Sequence, residues 1–547
     1  MTNPPTSVST LPPEVLQEIF LSQQGFILAK TPSNLVAHSC AMSRSCRPFC
    51  WLVVAHVSRQ WRAIALACPP LWSRFIISTD PDWTAELLHR SHNAPLSVML
   101  RFSEERMDAL QHSLAMVLRH LSRIEDLLIS WPSHFSLSPI FSMLSGRAPR
   151  LRSFSSCGIL SVLSKATDIP DLLSSENSPR LESLILSGPL NATRFTGPCA
   201  STLKYLKVVT ITEWFCRWPR TPALLEILGA APLLETLIFE RRELGVTSMR
   251  YAPMQHATLP HLHSLTLATA DVEVVAILDH LDLPTLHHFE VLTELTQVTP
   301  MAFAAALQRH FAAFGAIHEL NIEGSPSIRA QSLQLSSFST DHAAPGEDAR
   351  RRLLSLHLQR CDDAMQVACE ICRRLVLHEV RSLQVECDVI STPVWAAMLG
   401  HMRNLYELTV AGTYAAIHIP CALYPGLLVC GSGNMRNSSV SDAPRGLSAI
   451  PLPALRSLCL RRACLNQKDD YDAGILGAWS EGLRAALRAR SEAGAQLQEL
   501  VLDDCCNMNE TTLSALRSVM EETGGRLFSA ACGGGVMNTR DDWDTTS

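Results

Sequence analysis

This chain of 547 residues is short of several things, and each shortage removes a class of function. Charged residues make up only 18%, aromatic residues 6%, and the net charge is −6. A nucleic-acid-binding chain would carry clustered Lys and Arg on a basic domain, which this balance argues against. No uninterrupted apolar run approaches the roughly 18 residues that a membrane span needs. The opening residues, MTNPPTSVST, have neither the basic start nor the apolar stretch of a secretory signal. Eighteen cysteines in a chain without such a signal are expected to be reduced thiols, placing the protein in the cytoplasm or nucleus.

Motifs that carry chemistry are equally scarce. There is no G-x-S-x-G elbow, no H-E-x-x-H and no dinucleotide-binding G-x-G-x-x-G. Cys532-Gly533-Gly534-Gly535 lacks the Lys-Ser/Thr that a phosphate loop requires. His38, Cys40, Cys46, Cys50 and His56 include no C-x2-C pair, and Cys369-Glu370-Ile371-Cys372 has no second close pair. The expectation is a protein with no enzymatic activity, no cofactor and no metal.

What the chain does have is a recurring phrase, L-x-x-L-x-[LIV]. It reads LRSFSS at Leu151, LESLIL at Leu181, LKYLKV at Leu203, LETLIF at Leu234, LHSLTL at Leu262 and LHHFEV at Leu286. It continues as IHELNI at Ile317, LLSLHL at Leu353, VRSLQV at Val380, LYELTV at Leu405, LRSLCL at Leu455 and LQELVL at Leu497. In a strand the fourth and sixth positions share one face, so both enter a common core. Segments between phrases, such as 221–229 and 274–281, read as covering helices. One such unit cannot bury its own apolar face, but a stack of them can. Intervals of about 22 to 36 residues fit leucine-rich repeats of the irregular kind. Residues 323–350 and 415–453 break the period and read as surface loops, and 524–547 reads as a flexible tail.

Before the repeats, residues 1–10 read as a disordered lead and residues 11–75 as a helical module with an insertion at 21–50. Pro12-Pro13-Glu14 is a sound helix start, and Val15, Leu16, Ile19 and Phe20 follow at the spacing of one helix face. Trp51, Leu52, Ala55, Trp61, Ile64 and Ala65 keep a similar rhythm until Pro69-Pro70.

The pattern L-P-P-E-x-L-x-E-I-F, followed by V-x-R-x-W-R-x-I-A-L-x-x-P-x-L-W, resembles the F-box-like domain at the N-terminus of many fungal proteins. It is carried by Leu11, Pro12, Pro13, Glu14, Leu16, Glu18, Ile19 and Phe20, then Val57, Arg59, Trp61, Arg62, Ile64, Ala65, Leu66, Leu71 and Trp72. The family often has Cys where this chain has Ser58. The fold expected is therefore an α/β solenoid: an F-box-like helical module followed by an irregular leucine-rich-repeat array over 76–523.

The resemblance implies docking onto a Skp-family adaptor, and through it a cullin-based ubiquitin ligase, with Leu11, Pro12, Glu14, Val15, Leu16, Ile19, Phe20 and Trp61 as the contacting residues. Strand alternation would turn Tyr205, Lys207, Thr236, Ile238, Thr266, His288, Glu290, Glu319, Asn321, His357, Gln384 and Glu407 toward a protein substrate, away from the core leucines. This row reads as mixed and mostly uncharged, without an acidic or basic stripe, which points to a protein surface and not to nucleic acid or a membrane. The alternative is a repeat scaffold whose helical module merely caps the stack.

Overall fold

A computed structural model describes residues 11–24, 50–101, 107–131, 138–158, 167–168, 170–187, 190–191, 201–212, 221–243, 255–296, 298–311, 316–325, 332–340, 350–359, 364–387, 390–412, 414–424, 451–463, 479–505, 508 and 510–529. The chain forms two compact units, Met1–Leu286 and His287–Ser547.

The first unit begins with helices. In α1 (Pro13–Gln24) the carboxylate of Glu14 lies in the first turn, at the positive end of the helix dipole. A 3-10 segment, Cys50–His56, leads into α2 (Arg59–Leu66) and the short α3 (Pro69–Trp72). Ser58 caps α2, its hydroxyl accepting from the Trp61 N–H at 3.1 Å. Leu16, Phe20, Ile64, Ala65, Leu71 and Trp72 form the core of this module. The Trp72 indole donates to the Ala65 carbonyl at 2.8 Å, and the Arg90 guanidinium stands 4.5 Å over its ring. Trp72 thus ties the helices to the first repeat.

That repeat is a strand, β1 (Arg74–Ile76), with the helix α4 (Pro81–Arg90), which Asp80 caps by accepting from the N–H groups of Asp82 and Trp83. The stack then continues through β2 (Leu96–Arg101), β3 (Ile124–Trp131), β4 (Ser153–Gly158), β5 (Ser183–Ser187), β6 (Tyr205–Thr212), β7 (Thr236–Glu243) and β8 (Ser264–Ala268). Each is parallel to the one before and in the same register, so Phe154, Leu184, Leu206, Leu237 and Leu265 make one continuous row. All of that row is buried. Helices cover this face: Phe141, on the helix Ser138–Met143, meets the Phe154 ring at 6.4 Å.

A short turn sets each strand's start. The N–H of the leading residue returns to the carbonyl three residues earlier in Ala148–Leu151, Ser178–Leu181, Ala231–Leu234, Leu259–Leu262 and Leu283–Leu286. The same bond recurs in the second unit before Val380, Leu405 and Leu455. Proline follows the first residue of most of these turns (APRL, SPRL, APLL, LPHL, LPTL, LPAL), where its fixed φ suits position i+1. The first residue is buried each time, so the turn adds a layer to the core below the strand.

The second unit holds β9 (His288–Glu294), β10 (Glu319–Ser325), β11 (Ser332–Thr340), β12 (Arg350–Gln359), β13 (Ser382–Glu386), β14 (Glu407–Ala411), β15 (Ser457–Arg461), β16 (Glu499–Asp503) and β17 (Arg526–Ser529). From β13 to β17 the stack is parallel and sequential, as in the first unit. Between β9 and β13 it is not. β10, β11 and β12 form an antiparallel meander, and it is β12 that pairs with β9 while β10 pairs with β13. Gly324 sits where β10 meets the helix Ala364–Cys372: a Cβ there would stand 3.2 Å from the Cys387 sulfur and 3.8 Å from that of Met365.

Three expected segments are corrected. The interval 323–350 is not simply a loop, because Ser332–Thr340 is a strand whose Leu333 and Leu335 enter the core. Its phrase, SLQLSSFST, alternates correctly but is rich in serine, and Ala330 stands where the repeated phrase has its leading leucine. Of 415–453, Ala415–His418 and Ile419–Leu423 are helical and buried, and 425–450 lies outside the described residues. Of 524–547, Arg526–Ser529 is the last strand of the sheet, and 530–547 lies outside the described residues. The helix Glu510–Glu522 ends in a Schellman turn, with Gly524 at φ +78 and the Gly525 N–H reaching the Met520 carbonyl at 2.7 Å. A Cβ on Gly525 would lie 2.5 Å from the Leu497 carbonyl, so no other residue fits there.

Parallel strands stacked in register, one per repeat and backed by helices, are consistent with a leucine-rich-repeat-like solenoid in both units. Leu184→Asp or Leu265→Asp would bury an unpaired charge, and each is expected to cost at least about 4 kcal/mol in urea unfolding followed by circular dichroism. A second expectation concerns Arg490. This fully buried guanidinium donates to the carbonyls of Pro451 at 2.6 Å and Leu452 at 2.8 Å. Arg490→Met would strand both, with an expected loss of about 2–4 kcal/mol in the same assay.

Candidate functional site

The helical module divides its apolar residues between two environments. Leu16 and Phe20 are fully buried, with the Phe20 ring 5.1 Å from the half-buried Trp61. These expected contact residues are therefore interior. Val15 (43% exposed), Ile19 (38%), Val53 (63%), Val57 (59%) and Leu66 (41%) are instead open to solvent. Val15 and Ile19 lie one turn apart on α1. Pro12 and Glu14 are exposed and Leu11 is half-buried beside them. Val53 sits on a 3-10 turn, where the α-helical period does not apply. His38, Cys40 and Cys46 lie outside the described residues.

On the sheet, the outward rows run through the expected positions, but the two units differ. In the first unit this face is a second apolar core. Met99, Leu128, Cys157, Ile185 and Tyr205 are buried in one cluster, with Ile76 and Ile238 packed against it. Lys207 is also buried and ion-paired to Glu240 at 2.9 Å. Tyr205 and Lys207 are thus structural, contrary to expectation, and Ile238 is part of the same cluster. Thr236 and Thr266 are half-buried. The Tyr205 hydroxyl has no hydrogen-bond partner among the described residues, and burial pushes its pKa up to about 12, with Cys157 and Glu240 adding to the shift.

In the second unit the outward face is polar. Asn321, Gln384 and Thr409 occupy one row across β10, β13 and β14. Glu319, Ser382 and Glu407 flank it on one side, and Glu323, Glu386 and Ala411 on the other. Glu499 continues the first flank through Ser457. The expectation of no acidic stripe is therefore overturned for this unit. Glu323 and Glu386 each lie one residue beyond the six-residue phrase, on the strand's next outward position. His288 and Glu290 on β9 are half-buried, the His288 Nδ1 lying 3.2 Å from the Arg352 carbonyl. His357 meets the Ser355 hydroxyl at 3.0 Å. Beside Glu407 lies an open recess of about 490 Å³ lined by Arg381, Ser382, Asn404, Tyr406 and Glu407.

Chemistry elsewhere is structural. Cys369 and Cys372 are buried within Ala364–Cys372, and burial pushes the Cys372 thiol up to about 12, away from a reactive thiolate. Arg241 pairs with the buried Glu273, whose other oxygen accepts from Thr269 at 2.5 Å. Glu370 pairs with Arg373 and Arg374 at 2.8 and 2.7 Å. Among the described residues no group of three His, Cys, Asp or Glu side chains is placed to hold a metal ion, and no helix is long and apolar enough to cross a membrane.

No protein-family model matches the chain, and no curated protein does. Among solved structures, it is similar to the crystal structure of the TLR13–ssRNA13 complex, at 13% identity and a TM-score of 0.31. That match covers 79% of this chain and 48% of the other, so this chain spans about half the length of that relative.

The unpartnered Tyr205 hydroxyl gives a direct check on the closed face of the first unit. Tyr205→Phe removes a buried polar atom that bonds nothing among the described residues, so thermal unfolding is expected at an unchanged or slightly higher temperature, a gain of about 0–1 kcal/mol.

Proposed function

We propose that this protein is a non-enzymatic substrate receptor: its F-box-like helical module docks a Skp-family adaptor, and its repeats hold a protein substrate for a cullin-based ubiquitin ligase. The observation that carries the reading is the exposure of Val15, Ile19, Val53, Val57 and Leu66 on one small helical module whose core is already filled by Leu16, Phe20 and Ile64. Large apolar side chains left in water on a module of this size are a common mark of a partner surface. A helix edge laid into a partner groove uses residues one turn apart, as Val15 and Ile19 are.

Such a receptor breaks no bond. It holds substrate lysines at high effective concentration near the charged conjugating enzyme, which is why no catalytic residues are needed in this chain. Leu11, Pro12 and Glu14 lie at the start of the same helix and extend the contact. Leu16, Phe20 and Trp61 support it from within.

The test is a pull-down of the full chain with purified Skp-family adaptor. Val15→Asp/Ile19→Asp changes only exposed positions, so the fold should survive, as circular dichroism would verify. Capture by the wild type and loss of at least about tenfold in the variant is the expected result. A folded wild-type chain that captures no adaptor would leave a repeat scaffold with a helical cap and remove the ligase from the account.

A further inference from the structure

We infer that the substrate surface is confined to the second unit, and that it receives an extended, lysine- or arginine-bearing protein segment lying across β10, β13 and β14. The inference rests on the proposed function only in taking the repeats as the substrate-holding part. Four observations lead to it.

The first is that the corresponding face of the first unit is closed by its own apolar cluster around Met99, Ile185 and Tyr205. A partner there would have to displace a packed core.

The second is a row of hydrogen-bonding groups with nothing to bond. Asn321, Gln384 and Thr409 are neighbours in register, and none of their side chains has a partner among the described residues. Thr409 is only 8% exposed, held on this face between Gln384 and Cys459. Amides and a hydroxyl in one line present both donors and acceptors, which is what the backbone of an extended segment needs.

The third is the charge on either side of that row. Glu319 and Glu407 lie on one flank with Ser382 between them, and Glu323 and Glu386 on the other. Cations are present but engaged or set at the margin. Arg462 pairs with Glu386 at 2.7 Å, Arg461 with Asp503 at 3.5 Å, and Arg381 lines the recess at the strand starts. Arg352 packs over the Phe338 ring at 5.6 Å. The carboxylates outnumber them across the central strands, so a basic segment is attracted and an acidic one or a nucleic-acid backbone is repelled.

The fourth is spacing. Glu319 and Glu407 stand two strands apart, about 10 Å. In a segment extended as a polyproline II helix, residues three apart lie on the same side and are about 9 Å apart. A segment with a cation at every third position therefore meets both carboxylates while its backbone follows the Asn321–Gln384–Thr409 row. Tyr406, 51% exposed beside Glu407, offers an aromatic face to a cation or aliphatic stem at the end of the track.

The experiment uses the full chain alone, without adaptor, so it can fail while adaptor capture succeeds, and the reverse. The probe is a fluorescein-labelled peptide of three Lys-Ser-Ser repeats, followed by anisotropy at about 0.1 M salt, where the Debye length is about 10 Å. An exposed ion pair is worth a factor of roughly two to five in affinity. Glu319→Gln/Glu407→Gln is therefore expected to weaken binding about fivefold or more, and Gln384→Leu/Thr409→Val to weaken it at unchanged net charge. Glu226→Gln/Glu235→Gln, at exposed positions in the first unit, should leave affinity within about twofold. Each variant's melting curve is compared with the wild type to separate binding from folding. Failure of the wild type to bind the peptide, or equal loss in the first-unit variant, overturns the inference. So does wild-type affinity in the Gln384→Leu/Thr409→Val protein, which would reduce the face to diffuse charge.

Discussion

A strand whose alternate side chains are leucine has no stable surface of its own, because one face of it must leave water. In this protein that face is removed by a neighbour of the same kind, in the same register, and by a helix laid over both. Leu184, Leu206, Leu237 and Leu265 are buried by one another as much as by anything else. Everything else in the fold serves this contact. The turn before each strand fixes where the leucine row starts, Trp72 joins the helical module to the first repeat, and Arg490 holds the carbonyls ahead of β15. Burial of apolar area at about 25 cal/mol per Å² makes such a row strongly stabilising once several repeats are present and of little use before.

The outward face is free of that requirement, which is why the two units treat it differently. In the first unit Met99, Leu128, Ile185 and Tyr205 have made a second core, so much of this face is dry as well. In the second unit the same positions carry Asn321, Gln384 and Glu407. A face that is to bind something else has to stay wet until it does so, and the side chains of Asn321, Gln384 and Thr409, unpartnered among the described residues, are the cost of that readiness.

How much of this was legible in the sequence follows from what each feature depends on. The core rows were, because L-x-x-L-x-[LIV] states the period, the turn and the buried positions together. Every phrase from Leu151 to Leu497 lies in or leads into a strand. The strand Ser332–Thr340 was hidden because its outward and inward positions are both rich in serine, so alternation has little contrast. Arg526–Ser529 was hidden by its brevity and by the glycines before it. The closed face of the first unit could not be read from single strands. Tyr205 is amphipathic and Lys207 charged, and only the cross-strand row beginning at Met99 and the Glu240 carboxylate show why both are inside. On the helical module, Val15 and Leu16 are adjacent apolar residues of one helix; which of them faces water depends on where α2 packs, and that is a tertiary fact.

The antiparallel meander has a consequence for how the protein is made. A simple repeat array can assemble as it is synthesised, each new strand adding to the last with only a short loop to close. β9 cannot do this within its unit. Its partner there is β12, so Phe289 waits for Leu354, some 65 residues downstream, while β10 and β11 must already have turned back on themselves. The middle of the chain is therefore where a ribosome-bound intermediate would pause with an unsatisfied strand edge, and where a chaperone that shields such edges would have the most to do.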